Sequence, residues 1–287
     1  MIYLLLAILG SGVIPVLFRA FDGWRVNLFW AIPINYLTCV LIGNLFAEHR
    51  YNVISLNSQL WIWWAALQGL LLAVNFYLLA HTAQRSGVAI AALASRLSVA
   101  IPSFLAFLLY GDSLTPAKIA GLIAALLALY LCTAPDKGRG VSSRLFHLLP
   151  ILVFATFGCY FTILKYLQTY YLDSSNYHSY VMSGFMFACV SSIVIGLAKR
   201  VFSTADFRGV HVVAGIGLGC INYVAVYALL RVLALEGWQS SQLYPIYSVG
   251  VVAVSTLLAM ILFREQLSKQ RTIGLAVGLI AVALLNR

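Results

Sequence analysis

Acidic residues are scarce in this chain of 287 residues, and they are missing where a membrane-embedded acid would act. It holds 8 Asp and Glu against 18 Lys and Arg. Every one of the acids (Asp22, Glu48, Asp112, Asp136, Asp173, Asp206, Glu236 and Glu265) falls in or beside a polar break between apolar runs. Paired carboxylates for general acid–base chemistry are therefore excluded from the runs, as is an embedded acid for exchanging a proton against a cation. Charged residues of either sign reach only 9% against 62% hydrophobic, which rules out an ordinary soluble domain. There is no HExxH, no CxxC and no nucleotide-binding loop, so a zinc hydrolase, a redox thiol pair and direct ATP drive are not expected. The five cysteines (Cys39, Cys132, Cys159, Cys189 and Cys220) lie singly in apolar runs and read as small buried hydrophobes. No metal, cofactor or catalytic residue is expected.

What the chain does have is long apolar stretches. A hydrocarbon core about 30 Å thick needs about 20 apolar residues per helix, and only helices or closed barrels satisfy the backbone there. The runs are continuous rather than short and alternating, so they predict an all-α integral membrane protein. Ten spans are predicted, at 2–19, 27–46, 60–82, 87–109, 116–134, 147–168, 177–198, 209–231, 238–262 and 271–285. The first lacks a basic leader and a small-residue cleavage site, and reads as a retained helix. The net charge of +10 would suggest nucleic acid in a soluble protein. Here the basic residues cluster in short breaks, where they fix topology and meet anionic headgroups, so the expected partners are the bilayer and a small molecule, with no nucleic acid.

The longest polar break, Pro135–His147, falls at mid-chain and invites a repeat search. Tyr110-Gly111-Asp112-Ser113-Leu114-Thr115 aligns with Phe263-Arg264-Glu265-Gln266-Leu267-Ser268, and the same register pairs Gly121 with Gly274. Tyr77 and Gly87 match Tyr227 and Gly237, and Gly12 and Arg19 match Gly158 and Lys165. The expected organisation is a first repeat at 1–135, a polar loop at 136–146 and a second repeat at 147–287. Five spans per half is an odd number, so like-folded halves must be inverted relative to one another, as in many transporters.

With those motifs in view, the chain resembles the drug/metabolite transporter superfamily in its ten-helix EamA-like branch. The two helix-end patterns resemble that family's aromatic-Gly-Glu-x-Leu-Ser/Thr turn before a glycine-bearing last helix. Asp112 stands where the family usually has glutamate, and Arg264 where it usually has glycine. The resemblance implies a cavity between the halves and alternating access; the expected location is multi-pass, in the bacterial inner membrane. It implies no particular substrate.

Arg96 is the residue that speaks most directly to function. It sits near the middle of the run Gly87–Leu109, where an arginine costs roughly 2.5–3.5 kcal/mol on insertion scales, and no acid in the run compensates it. Such a residue marks a site unless it ties helices together through carbonyls. Gln68, Asn75 and Thr82 recur every seven residues on one face of the third span; Gly219, Tyr223, Tyr227 and Arg231 recur every four in the eighth, beside Asn222. The ninth carries Ser241, Tyr244, Ser248 and Ser255, with Gln239 and Gln242 near its start; the sixth carries Gly158, Thr162, Lys165 and Thr169. Such faces should turn from lipid. Arg96, Asn75, Asn222, Tyr223, Tyr227, Tyr244, Gln242, Lys165 and His81 are the expected substrate-binding set. Several have a plainer reading beside it: Lys165, Arg19 and Arg231 lie near enough to span ends to snorkel, and His81 is close to a span end. Trp61, Trp63, Trp64, Tyr166, Tyr170 and Tyr171 read as interface anchors. Pro102 and Pro245, on the counterpart fourth and ninth spans, are candidate hinges. Gly215-x-Gly217-x-Gly219 and Gly274-x-x-x-Gly278 read as close-packing segments, with homodimerisation through the last helix as the lesser alternative.

These features favour a secondary transporter, not an enzyme, moving a small anionic, zwitterionic or neutral polar metabolite. A lipid flippase of the same fold is the nearest alternative, and a lipid-modifying membrane enzyme lacks its acid or metal constellation. A channel would want a charge ring or filter, and none is visible. Orientation is contested. Arg25, Arg85, Lys137, Arg139, Arg144, Lys199, Arg200, Arg208, Arg264 and Lys269 crowd one side, against Arg50, Lys118 and Arg287 on the other. The positive-inside rule then places both termini outside, whereas the resemblance implies both inside.

Overall fold

A computed structural model describes residues 2–45, 60–110, 115–133, 144–172, 177–200, 207–233, 240–265 and 267–285. These residues are all-α. The helices are α1 (Ile2–Gly23), α2 (Leu28–Leu45), α3 (Ile62–Arg85), α4 (Val88–Leu97), α5 (Ala100–Tyr110), α6 (Pro116–Thr133), α7 (Arg144–Tyr170), α8 (Tyr177–Ala198), α9 (Gly209–Leu233), α10 (Ser240–Phe263) and α11 (Lys269–Leu285). With α4 and α5 counted together as the predicted fourth span, these are the ten predicted spans. Eight are long and apolar enough to cross a membrane, and Pro116–Leu131 is a shorter apolar helix. Their outward residues suit lipid. On α6, Ile123, Leu126, Leu127 and Tyr130 are exposed, and on α8 Val190, Ile193, Val194 and Leu197 are.

The chain divides into two compact units, and neither is a sequence half. Unit 1 holds Met1–Ala20, Leu78–Cys159 and Val224–Arg287, while unit 2 holds Phe21–Tyr77 and Tyr160–Tyr223. In unit 1, α6 packs along α11 and α4 lies against α10. Small residues permit the close approach: a Cβ on Gly121 would stand 3.0 Å from Leu285, and one on Gly278 2.6 Å from Leu93. Leu4 and Ala7 of α1, Ala228 and Val232 of α9, and Tyr247 and Val251 of α10 form one buried cluster.

In unit 2, α2 packs along α8. The glycines of α9 meet α2: a Cβ on Gly215 would stand 2.7 Å from Ile34, and one on Gly219 2.6 Å from Thr38, whereas Gly217 faces open space. Two glycines four apart thus make the packing face, as expected for close-packed membrane helices. The Tyr36 hydroxyl donates to the Leu72 carbonyl at 2.9 Å, and its ring lies 5.2 Å from that of Phe76. One expectation is corrected here. Trp61 is no interface anchor but is 2% exposed, packed with Ala65, Leu167 and Tyr180. Trp63, on another face of α3, is exposed. Cys39 is buried, but Cys159 is exposed, against the reading of every cysteine as core.

Candidate functional site

The fourth span is broken in the middle, and the break follows from its sequence. Pro102 has no N–H to give the Ser98 carbonyl, its helical partner four residues back. The Ile101 N–H takes that carbonyl instead at 3.1 Å, and Val99 donates to Arg96 at 3.4 Å. Ser95 and Ser98, both buried, turn their hydroxyls back onto the carbonyls of Ala92 (2.8 Å) and Ser95 (2.6 Å), a habit that bends helices. The regular α-helical hydrogen bonding therefore gives way to a tighter turn at Ser98 and Val99, with Ser98 still at φ -58° and ψ -18°, and resumes at α5. Arg96 lies in the last turn of α4, its positive charge near the negative end of that helix.

The guanidinium of Arg96 lies over the ring of Tyr247, 4.8 Å from its centroid. Tyr247 is buried, and its hydroxyl shares a 2.7 Å hydrogen bond with that of Ser11. The Nε of Arg96 is buried and has no hydrogen-bond acceptor among the described residues. Tyr247 of α10 thus links Arg96 of α4 to Ser11 of α1 within unit 1.

The other end of α4 is held differently. Gly87, at φ 110° and ψ 154°, adopts a backbone conformation essentially confined to glycine. A Cβ there would collide with the carboxylate of Glu265, whose Oε2 accepts the Val88 N–H at 3.1 Å. The carboxylate thus caps the positive end of α4. Burial pushes the Glu265 carboxyl above its usual range, and the Val88 N–H, Arg19 and Arg271 pull it down by less. Arg19 donates to the Gln84 carbonyl, and Gln84 Nε2 donates to Phe18 at 2.9 Å, tying α1 to α3 beside this cap.

Unit 2 has buried amides. The predicted stripe of α3 is enclosed: Gln68, Asn75 and Thr82 are all buried. Gln68 donates to the Tyr160 carbonyl at 3.0 Å and Thr82 to its own helix at 2.7 Å. Asn75 is 0% exposed, and neither its Oδ1 nor its Nδ2 has a partner among the described residues. Asn222 donates to Asn35 Oδ1 at 3.2 Å, while Asn35 Nδ2 stays unpartnered there.

The expected set falls in both units. Arg96, Tyr227, His81 and Pro102 belong to unit 1, and Asn75, Asn222, Tyr223 and Lys165 to unit 2. Tyr227 accepts a 2.8 Å bond from Arg231 Nε, one turn on, and is partly exposed. Tyr223 is buried, and Lys165 and His81 are half-buried. Gln242, Tyr244 and Pro245 lie on the continuous helix α10, so its described backbone shows no break matching that of the fourth span; their side chains lie outside the described residues. Asp112 also lies outside them. Tyr247, Ser11 and Asn35 were not anticipated. Asn35 carried the signal Asn75 did, an amide inside an apolar run. Tyr247 carried none, because its role appears only when Ser11, 236 residues away, is brought to it.

These features define a multi-span integral membrane protein. No protein-family model matches the chain. An uncharacterized protein of Haemophilus influenzae is 25% identical over 288 residues, covering 97% of this chain and 95% of its own. A protein known from a crystal structure shares the fold at a TM-score of 0.60 and 15% identity, over 99% of this chain and 96% of that one. Among the described residues, no group of three or more His, Cys, Asp or Glu could hold a metal ion.

Proposed function

We propose that the protein is a secondary transporter of the bacterial inner membrane, moving a small anionic, zwitterionic or neutral polar metabolite by alternating access. The observation that carries this reading is Arg96: a cation halfway along an apolar span, at a helix break, touched by an aromatic ring and no described carboxylate. A cation in that position is expensive and is tolerated where a cavity or ligand compensates it. A helix interrupted at mid-span is the usual way such proteins present backbone to a solute. Further support comes from the packing. α2 with α8, α4 with α10 and α6 with α11 each join one half's span to its counterpart in the other, a pairing that suits the inverted repeat of the drug/metabolite transporter resemblance.

Reconstitution into liposomes tests the reading. Saturable uptake of a radiolabelled solute from a panel of amino acids, organic acids and nucleosides is expected. Arg96→Ala should abolish it while the protein still inserts and elutes as a folded species. Arg96→Lys should restore only part, because lysine keeps the charge and loses the planar fork. Normal flux per folded molecule in Arg96→Ala would end the substrate-site reading. Lipid scrambling without solute flux would convert the transporter into a flippase, and binding led by lipophilic cations would overturn the substrate class.

A further inference from the structure

We infer that the ligand of Arg96 is a carboxylate, gripped side-on by the arginine, and that Tyr247 and Ser11 are the positioning residues that set the plane of the grip. The inference deepens the transport reading and rests on it for the claim that the ligand is cargo.

A guanidinium interacts in two ways. Its charge is attracted to an aromatic ring, and its N–H bonds, all in one plane, need lone pairs. The ring of Tyr247 answers the first demand at 4.8 Å and has no lone pairs in place for the second. On one side of the group, Nε–H and one Nη–H run parallel, spaced to meet the two oxygens of one planar anion. Among the described residues, Nε is the donor left buried without an acceptor. An unmade bond there is costly, more so for a charged donor. The donor left over is therefore half of a carboxylate fork.

The surrounding charge favours a single negative charge on the ligand. α4, α5 and α10 hold no other Lys or Arg, and the cations of α6 and α11, which also pack on α4, stand in the first turns of those helices, at Lys118, Lys269 and Arg271. The only cation of α1, Arg19, is bonded at Gln84, and Arg231 of α9 is bonded at Tyr227. One cation balances a carboxylate, whereas a phosphate dianion would leave net charge at membrane depth. Ser11 completes the arrangement. Its bond to the Tyr247 hydroxyl at 2.7 Å ties the far edge of the ring to α1, so ring and guanidinium are held from two helices.

The test is ligand-dependent thermal stabilisation of the purified full-length protein in detergent. The probes are water-soluble monocarboxylates and amino acids, the carboxamide and phosphonate of each skeleton, and laurate. A carboxylate should raise the melting temperature, and its carboxamide and phosphonate should not. Arg96→Lys should weaken binding at least tenfold. Tyr247→Phe, which keeps the ring and loses the Ser11 bond, should weaken it several-fold, as should Ser11→Ala. The Tyr247→Phe/Ser11→Ala double variant should be no weaker than either single one, because both remove the same bond. Tyr247→Leu, which removes the ring, should bind as poorly as Arg96→Lys. Equal binding of carboxamides or phosphonates, no binding of any carboxylate, or additive losses in the double variant would overturn the proposal. If laurate alone binds, the fork stands and the metabolite reading falls. A carboxylate that binds without crossing proteoliposomes likewise leaves the fork and removes transport. Arg96-dependent flux of a solute with no carboxylate does the reverse.

Discussion

At the scale of single residues, the structure holds two kinds of buried amide, and they should answer substitution oppositely. Gln68 is bonded to Tyr160, so Gln68→Leu loses a hydrogen bond and lowers stability by about 1 kcal/mol. Asn75 has neither of its polar atoms paired among the described residues. Replacing such a group by an apolar one of similar shape removes an unmet demand, so Asn75→Leu should raise stability by about 1 kcal/mol or more and depress flux in the same protein. Denaturation of the two variants beside wild type checks the signs, and a destabilised Asn75→Leu would mean that the amide is already satisfied. These residues were visible in the sequence because an amide or arginine in an apolar run needs an explanation whatever its neighbours. Arg96 and the α3 stripe were found that way. Tyr247 was not, because a tyrosine is amphipathic and at home in any such helix, and its meaning comes from what lies over its ring.

At the scale of elements, α4 is a short helix held at both ends, by Glu265 at Val88 and by the turn before Pro102. Gly87→Ala must place a side chain in glycine-only backbone space and against the Glu265 carboxylate. The backbone strain alone costs about 1–3 kcal/mol, so a clear drop in melting temperature is expected. Glu265 also makes this end of the helix sensitive to pH. Its carboxyl is raised by burial, so the folded chain binds that proton more tightly than the unfolded one. The linked stability is greatest below the usual carboxylate range, and it declines as pH rises from there through the raised value. Glu265→Gln fixes the neutral form, so its melting temperature should lack that decline, and identical pH profiles would count against it. Span positions were legible because apolar runs and bilayer thickness dictate them. The break was legible only as Pro102, since Pro15 and Pro33 sit inside unbroken helices and Pro alone does not say which helix will part.

At the scale of the whole molecule, the basic residues give a prediction that the fold leaves open. The breaks after the odd-numbered spans carry most of them, which places the C-terminus outside the cytoplasm. A phosphatase fused there should be active and a fluorescent reporter dark, and the opposite pair of results would favour the orientation of the family it resembles. The organisation into ten spans was legible from the order of apolar runs, whereas the two compact units were not. Each is assembled from separated stretches of chain, and such contacts leave no mark on local periodicity. That interleaving has a consequence for how the protein is made. The amide oxygen of Asn35 is met by Asn222, 187 residues later. At ribosomal speeds of about 5–20 residues per second, α2 enters the bilayer roughly 10–40 s before α9 exists to pack on it. During that interval the first helices stand in lipid with unmet polar groups, which makes them dependents of whatever insertion machinery shelters them.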